Sequence, residues 1–149
     1  MHPFDIHTVL LAKHAQHVVL IHFPIALFII GVLFDFLGQW KSNRVLVAAA
    51  YYNFLVAAIA TVPVVVTGIL VWQWELEGQR LKGILLMHLV MACVSTLLIW
   101  VVWFIHKRTP REREQVLPGY RLPIEAMAVV LVAVTGHLGG FLSGVNGPG

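Results

Sequence analysis

Three histidines, His22, His88 and His137, lie inside three different apolar stretches of the sequence. An imidazole in membrane hydrocarbon is costly, and it usually faces a bundle interior, a partner or a cofactor. Neutral imidazole is also the commonest protein ligand of metals, and it holds the iron of many haems. If the chain brings these residues to one place, the chemistry they favour is metal or haem binding.

The composition is that of an integral membrane protein. Of the 149 residues, 59% are apolar and 11% charged, and the mean hydropathy is +0.84. A soluble domain has about 45–50% apolar and about 25% charged residues. The stretches with few charges predict four transmembrane helices, over about residues 18–37, 45–72, 84–105 and 124–142, each long enough to cross about 30 Å of hydrocarbon. We therefore expect one all-α domain, a membrane four-helix bundle.

The basic residues predict the orientation. With four spans, the first and third connections lie on one side of the membrane and carry seven of the ten Lys and Arg residues; the seven are Lys41, Arg44, Lys107, Arg108, Arg111, Arg113 and Arg121. Because cytoplasmic loops are enriched in Lys and Arg, these connections should face the cytoplasm of a bacterial inner membrane. Both termini should then face the outer, periplasmic side. The basic residues flank spans, so they do not indicate a nucleic-acid partner.

With this topology, the three histidines lie at one depth. Each is four to five residues inside the outer end of its predicted span, which is roughly 6–8 Å below the interface at 1.5 Å per residue. His17, one to two turns outward of His22, is a reserve ligand, and together with His14 it could instead bind a surface metal.

Small residues surround the third histidine. Gly136, Gly140 and Gly144 repeat every fourth residue around His137. Such a stripe lets transmembrane helices approach closely, and packing alone would explain it. Beside a histidine, the glycines would also leave room for a flat macrocycle.

Bis-histidine haem b fits these residues best, with two of the three imidazoles on iron and the third hydrogen-bonded to a propionate or to a group that contacts a ligand. The alternatives are zinc or copper held by His22, His88 and His137, a quinone hydrogen-bonded to one histidine, and a cofactor-free structural or assembly subunit. The sequence contains no C-x-x-C-H motif for covalent haem and no nucleophile–base pair, so we do not expect an independent enzyme. The single cysteine, Cys93, is expected to be a packing residue.

Two polar residues near the predicted cytoplasmic ends of their spans, Asp35 and His106, are expected to have no special function. Asp35 is predicted to form a surface ion pair with Lys41, although cytoplasmic proton uptake at Asp35 would also be conceivable. His106, beside Lys107 and Arg108, is expected to lie in the interface.

The stretch His17-Val-Val-Leu-Ile-His22-Phe-Pro-Ile-Ala-Leu resembles the H-P-x-x-V-H-F-P-I-A-L signature of a bacterial membrane family, domain of unknown function 2231. The resemblance continues through Thr67-Gly68, His88 and Gly136-His137-Leu138-Gly139-Gly140. Val18 stands where the motif has proline. The resemblance implies a four-helix membrane domain, and fusions of family members to Rieske-type or cytochrome c-type domains imply a redox setting.

Together these patterns predict a haem b-binding subunit for electron transfer within a larger respiratory or photosynthetic complex. Its expected partners are other membrane subunits and a periplasmic cytochrome or iron–sulfur protein. The Trp72–Lys82 connection and the N-terminal segment would dock outside, and the Lys107–Arg121 connection would meet cytoplasmic partners or anionic lipid.

Overall fold

The computed structural model describes residues 13–74, 76–108 and 119–144, and the side chains from residue 16 onward. They form four helices: α1 (Lys13–Trp40), α2 (Arg44–Trp74), α3 (Gly83–Arg108) and α4 (Arg121–Leu142). All four are long and apolar enough to cross a membrane. The predicted all-α class and the four spans are confirmed, and each predicted span lies inside one helix. Which end faces the cytoplasm stays a prediction.

The helices pack as a ring in chain order. Each helix packs on the next, and α4 returns to α1, so α1 and α3 face each other diagonally. Two ends of the bundle follow from this topology. The terminal end holds Lys13, Trp74, Gly83 and Leu142, and the loop end holds Trp40, Arg44, Arg108 and Arg121.

The buried core occupies the half of the bundle next to the loop end. It consists of Phe28, Ala50, Phe54, Ala57, Ala58, Ile99, Val102, Ala128 and Val132. Helices α1 and α2 approach closely here because Gly31 has no side chain. A Cβ added at Gly31 would stand 2.7 Å from Cε1 of Phe54. We call this half of the bundle the closed half.

The other half, next to the terminal end, packs less completely. Among the described side chains, none within 16–23, 62–74, 76–94 or 133–144 is buried. Pro24 in α1 and Pro63 in α2 stand near the boundary between the halves. Proline removes a helical hydrogen bond, and the packing is looser beyond this level. We call this the open half, and it contains His17, His22, His88 and His137.

Candidate functional site

His22 lies on the exposed side of α1, and its own helix fixes its tautomer. Its Nδ1 donates a hydrogen bond of 2.6 Å to the backbone carbonyl of Val18, one turn earlier. A carbonyl oxygen can only accept, so the proton of the neutral ring resides on Nδ1. The lone pair is therefore on Nε2, the nitrogen that points away from this contact.

His88 is half-buried between α3 and α4 and has the same tautomer. Its Nδ1 donates to the carbonyl of Thr135 over 3.2 Å. The ring lies against α4 at Gly139, where an added Cβ would stand 3.2 Å from its Cε1. Nearer the closed half, a second polar contact joins α3 and α4, since Ser95 Oγ lies 3.0 Å from Thr135 Oγ1. The glycine thus lets this ring pack tightly against α4.

Contacts with α4 place His22 and His88 at the same level of the bundle. The Ile25 side chain of α1 reaches Gly136, lying 3.7 Å from where a Cβ would stand. Helices α1 and α4 are antiparallel, so His22, three residues before Ile25, is level with Gly139 to within about one turn. His88 packs on that same Gly139. His22 and His88 therefore both lie level with the glycine-containing stretch of α4.

His137 lies at this level on α4 itself and is exposed. Its ring meets Phe141 edge-on, with centroids 4.9 Å apart. Among the described residues, only one group of three possible metal ligands has its ligand atoms within 4.8 Å of one another, and it does not contain these histidines. The ring nitrogens of His22, His88 and His137 are therefore farther apart than that. The geometry gives no support to one zinc or copper ion held by His22, His88 and His137 together. Gly136 and Gly140 are both half-buried.

His17 belongs to a different seam, between α1 and α2. Its Nδ1 lies 3.0 Å from Thr67 Oγ1, whose hydroxyl also lies 2.9 Å from the Pro63 carbonyl. The ring sits over Gly68, with Cε1 3.1 Å from the position of an added Cβ. Thr67 and Gly68 therefore contact the reserve ligand. The side chain of His14 lies outside the described residues.

A second polar cluster lies in the closed half, and sequence reasoning missed it. We call it the buried quartet: Asp35 of α1, His106 of α3, and Arg121 and Glu125 of α4, each at most 5% exposed. Arg121 Nε donates to Asp35 Oδ2 over 2.8 Å, and His106 Nε2 lies 2.9 Å from Glu125 Oε1. The signal was available, because Asp35 and Glu125 are each the only charged residue of a predicted span.

Three expectations about these residues were wrong. Asp35 forms a buried ion pair with Arg121 rather than a surface pair with Lys41, which is exposed. His106 is not interfacial, since its ring packs on Phe54 with centroids 4.7 Å apart. Arg121 was assigned to a connection but is the first residue of α4. His106 and Arg121 were misplaced because α3 and α4 are longer than predicted, whereas Asp35 lies inside its predicted span and was misplaced because the sequence did not show which side of α1 faces inward.

The structure also contains an open cavity of about 400 Å³, lined by Phe36, Gln39, Trp40 and Leu122. It lies at the loop end, far from the four histidines of the open half. It therefore contributes nothing to the histidine site.

The sequence matches the model of a family described as a predicted membrane protein (DUF2231) over residues 13–147. This range is nearly the whole chain, so the chain belongs to that family, and the resemblance drawn from the motifs is confirmed. No curated protein and no solved structure matches the chain.

Proposed function

We propose that this member of the DUF2231 family is a haem b-binding subunit that transfers electrons within a larger membrane complex. The arrangement of His22 and His88 carries the proposal. They lie at one level on diagonal helices, and each ties its Nδ1 proton to a backbone carbonyl. Metal-ligating histidines almost always donate their other ring N–H in this way, which leaves Nε2 to bind the metal.

The open half suits a flat macrocycle. Bis-histidine haem needs two neutral imidazoles from facing helices and space between those helices. Here α4 presents Gly136 and Gly139 at the level of the two histidines, and no described side chain of this half is buried. His22 and His88 would hold the iron, which supplies one-electron chemistry when bound. His137, on the helix between them, is the residue we assign to a propionate.

The exposed histidines favour a partner protein that covers them. His22 and His137 are both exposed in the open half. In a membrane, such a polar face must be covered by another protein, because hydrocarbon does not solvate imidazole. We therefore propose that other membrane subunits of a redox complex pack on this face in a bacterial inner membrane. A periplasmic cytochrome or iron–sulfur protein would exchange electrons near the connection that holds Gln79 and Lys82.

The experiment that tests this proposal is a titration of the purified protein with haemin, followed by absorbance. We expect saturation at one haem per chain and a low-spin spectrum. The control is the double variant His22→Ala/His88→Ala, which should bind no low-spin haem. Parallel titrations with Zn²⁺ and a short-chain quinone test the other cofactors. Saturable binding of either one without haem would contradict the proposal, and binding of none would favour a structural or assembly subunit.

A further inference from the structure

The charges of the buried quartet do not cancel unless the cluster holds a proton. Asp35 and Arg121 neutralise each other through their 2.8 Å contact. The remaining pair is His106 and Glu125, at 5% and 0% exposure. A neutral imidazole beside an ionised carboxylate would leave one net negative charge in the closed half. An uncompensated charge buried away from water is strongly disfavoured, and such groups usually neutralise instead.

The hydrogen bonds indicate which atom carries that proton. Glu125 Oε2 and Asp35 Oδ1 are both buried without a hydrogen-bond partner among the described residues, but Asp35 is paired with the Arg121 cation through its other oxygen. With an imidazolium at His106, Glu125 Oε2 would belong to a charged carboxylate. With a carboxylic acid, Oε1–H donates to His106 Nε2 across the 2.9 Å contact, and Oε2 is a neutral carbonyl oxygen. The second arrangement costs less free energy, because the atom left without a hydrogen bond is a neutral carbonyl oxygen and not a charged one.

Within residues 13–74, 76–108 and 119–144, no other buried cation faces Glu125. The charged neighbours of Glu125 are Asp35 on α1 and Arg121 on its own helix. Arg121 is already paired with Asp35. Helix α2 places the Phe54 ring against His106. The other titratable groups that the structure describes near the loop end are exposed or half-buried: Lys41, Arg44, Tyr51, Tyr52, Lys107, Arg108 and Tyr120.

We propose that Glu125 is a proton-binding residue inside the membrane. At neutral pH its side chain is a carboxylic acid that donates a hydrogen bond to His106. Its proton exchanges with the solution on the loop-end side. Glu125 lies four residues from the start of α4 and seventeen from its end. At 1.5 Å per residue, that is roughly 6 Å from the loop end and roughly 26 Å from the terminal end. Transfer of the proton from Glu125 to His106 breaks the Oε1–H bond of Glu125 and forms an Nε2–H bond on His106, and no electron is transferred. The inference does not depend on haem binding.

Infrared spectroscopy of the full-length protein in lipid tests the proposal. The C=O stretch of a carboxylic acid is separate from the stretches of a carboxylate. We expect an acid band at neutral pH that is lost in Glu125→Gln and kept in Glu77→Gln, which changes an exposed glutamate. Glutamine can donate the same hydrogen bond to His106, so the variant should fold. In D₂O the band should shift, because the proton exchanges.

Three results would overturn it: no acid band in the wild type, a band unchanged by Glu125→Gln, or a band that D₂O does not shift. Should Glu125→Gln fail to fold, carbon NMR of glutamate-labelled wild type decides, since one protonated side-chain carboxyl is expected. Asp35, His106 and Glu125 each place one possible ligand atom within 4.8 Å of the others. Stoichiometric binding of added Zn²⁺ with loss of the acid band would make the quartet a metal site and contradict the proton assignment.

Discussion

At the scale of single residues, backbone carbonyls select which nitrogen of His22 and His88 is basic. Neither ring needs a second side chain to fix its tautomer, because Val18 and Thr135 provide main-chain acceptors. A substitution at either histidine should therefore remove a ligand while leaving the backbone that held it unchanged. This makes the ligand assignment open to direct mutagenesis.

We expect His22→Ala and His88→Ala each to abolish low-spin haem, because each removes one axial nitrogen. His137→Ala should keep the low-spin spectrum and only shift the reduction potential. Absorbance spectra and potentiometric titration of the three purified variants separate these outcomes. Unchanged spectra in all three variants would show that the ligands are wrong, and His14 and His17 would then be the residues to examine.

The Asp35–Arg121 pair predicts a large stability effect. Arg121→Met should destabilise the protein by about 3–5 kcal/mol, because it leaves the carboxylate of Asp35 buried without its partner. Thermal unfolding in detergent, followed by circular dichroism, measures the change. Lys41→Met is the matched control, because Lys41 is exposed and should matter little. Equal stability of the two variants would show that the ion pair contributes nothing.

Residue spacing predicted the level of a residue along the bundle better than it predicted which side of the helix faces inward. His22, His88 and His137 lie at one level as expected, because rise along a helix follows from counting residues. Which side of a helix faces inward depends on packing, and in helices that are apolar all round the sequence carries a weak signal of it. That is why Asp35 and His106 were taken for surface residues, and why Glu125 was missed.

At the scale of the helices, α1 and α2 approach closely in the closed half at Gly31. Gly31→Ala should cost about 1–3 kcal/mol, because its Cβ would overlap the Phe54 ring in the core. Gly136→Ala is the control, since its Cβ would make an ordinary contact with Ile25. Unfolding curves of both variants test this. A Gly31→Ala protein as stable as Gly136→Ala would contradict the packing described for α1 and α2.

The elements themselves were predictable because hydrophobic length determines them. All four spans were found from runs of apolar residues, and the errors lie at the ends. Helix α1 begins five residues earlier than predicted, and α4 three residues earlier. The looser packing beyond Pro24 and Pro63 could not be predicted, since it depends on how all four helices meet.

At the scale of the whole molecule, the distribution of Lys and Arg predicts that the loop end faces the cytoplasm. In a Cys93→Ser background, a cysteine replacing Gln79 should react with a membrane-impermeant maleimide in intact spheroplasts. A cysteine replacing Ser42 should react only after permeabilisation. The opposite labelling pattern would show that the orientation is inverted, and it would place the histidine site on the cytoplasmic side.

The central claim is that this chain binds haem through the histidines of its open half, and the reduced-minus-oxidised absorbance spectrum of the protein isolated in gentle detergent tests it most directly. We predict a b-type α-band in the wild type, together with copurifying membrane subunits, and no such band in His22→Ala/His88→Ala. A colourless, haem-free wild-type protein isolated with its native partners would contradict the account.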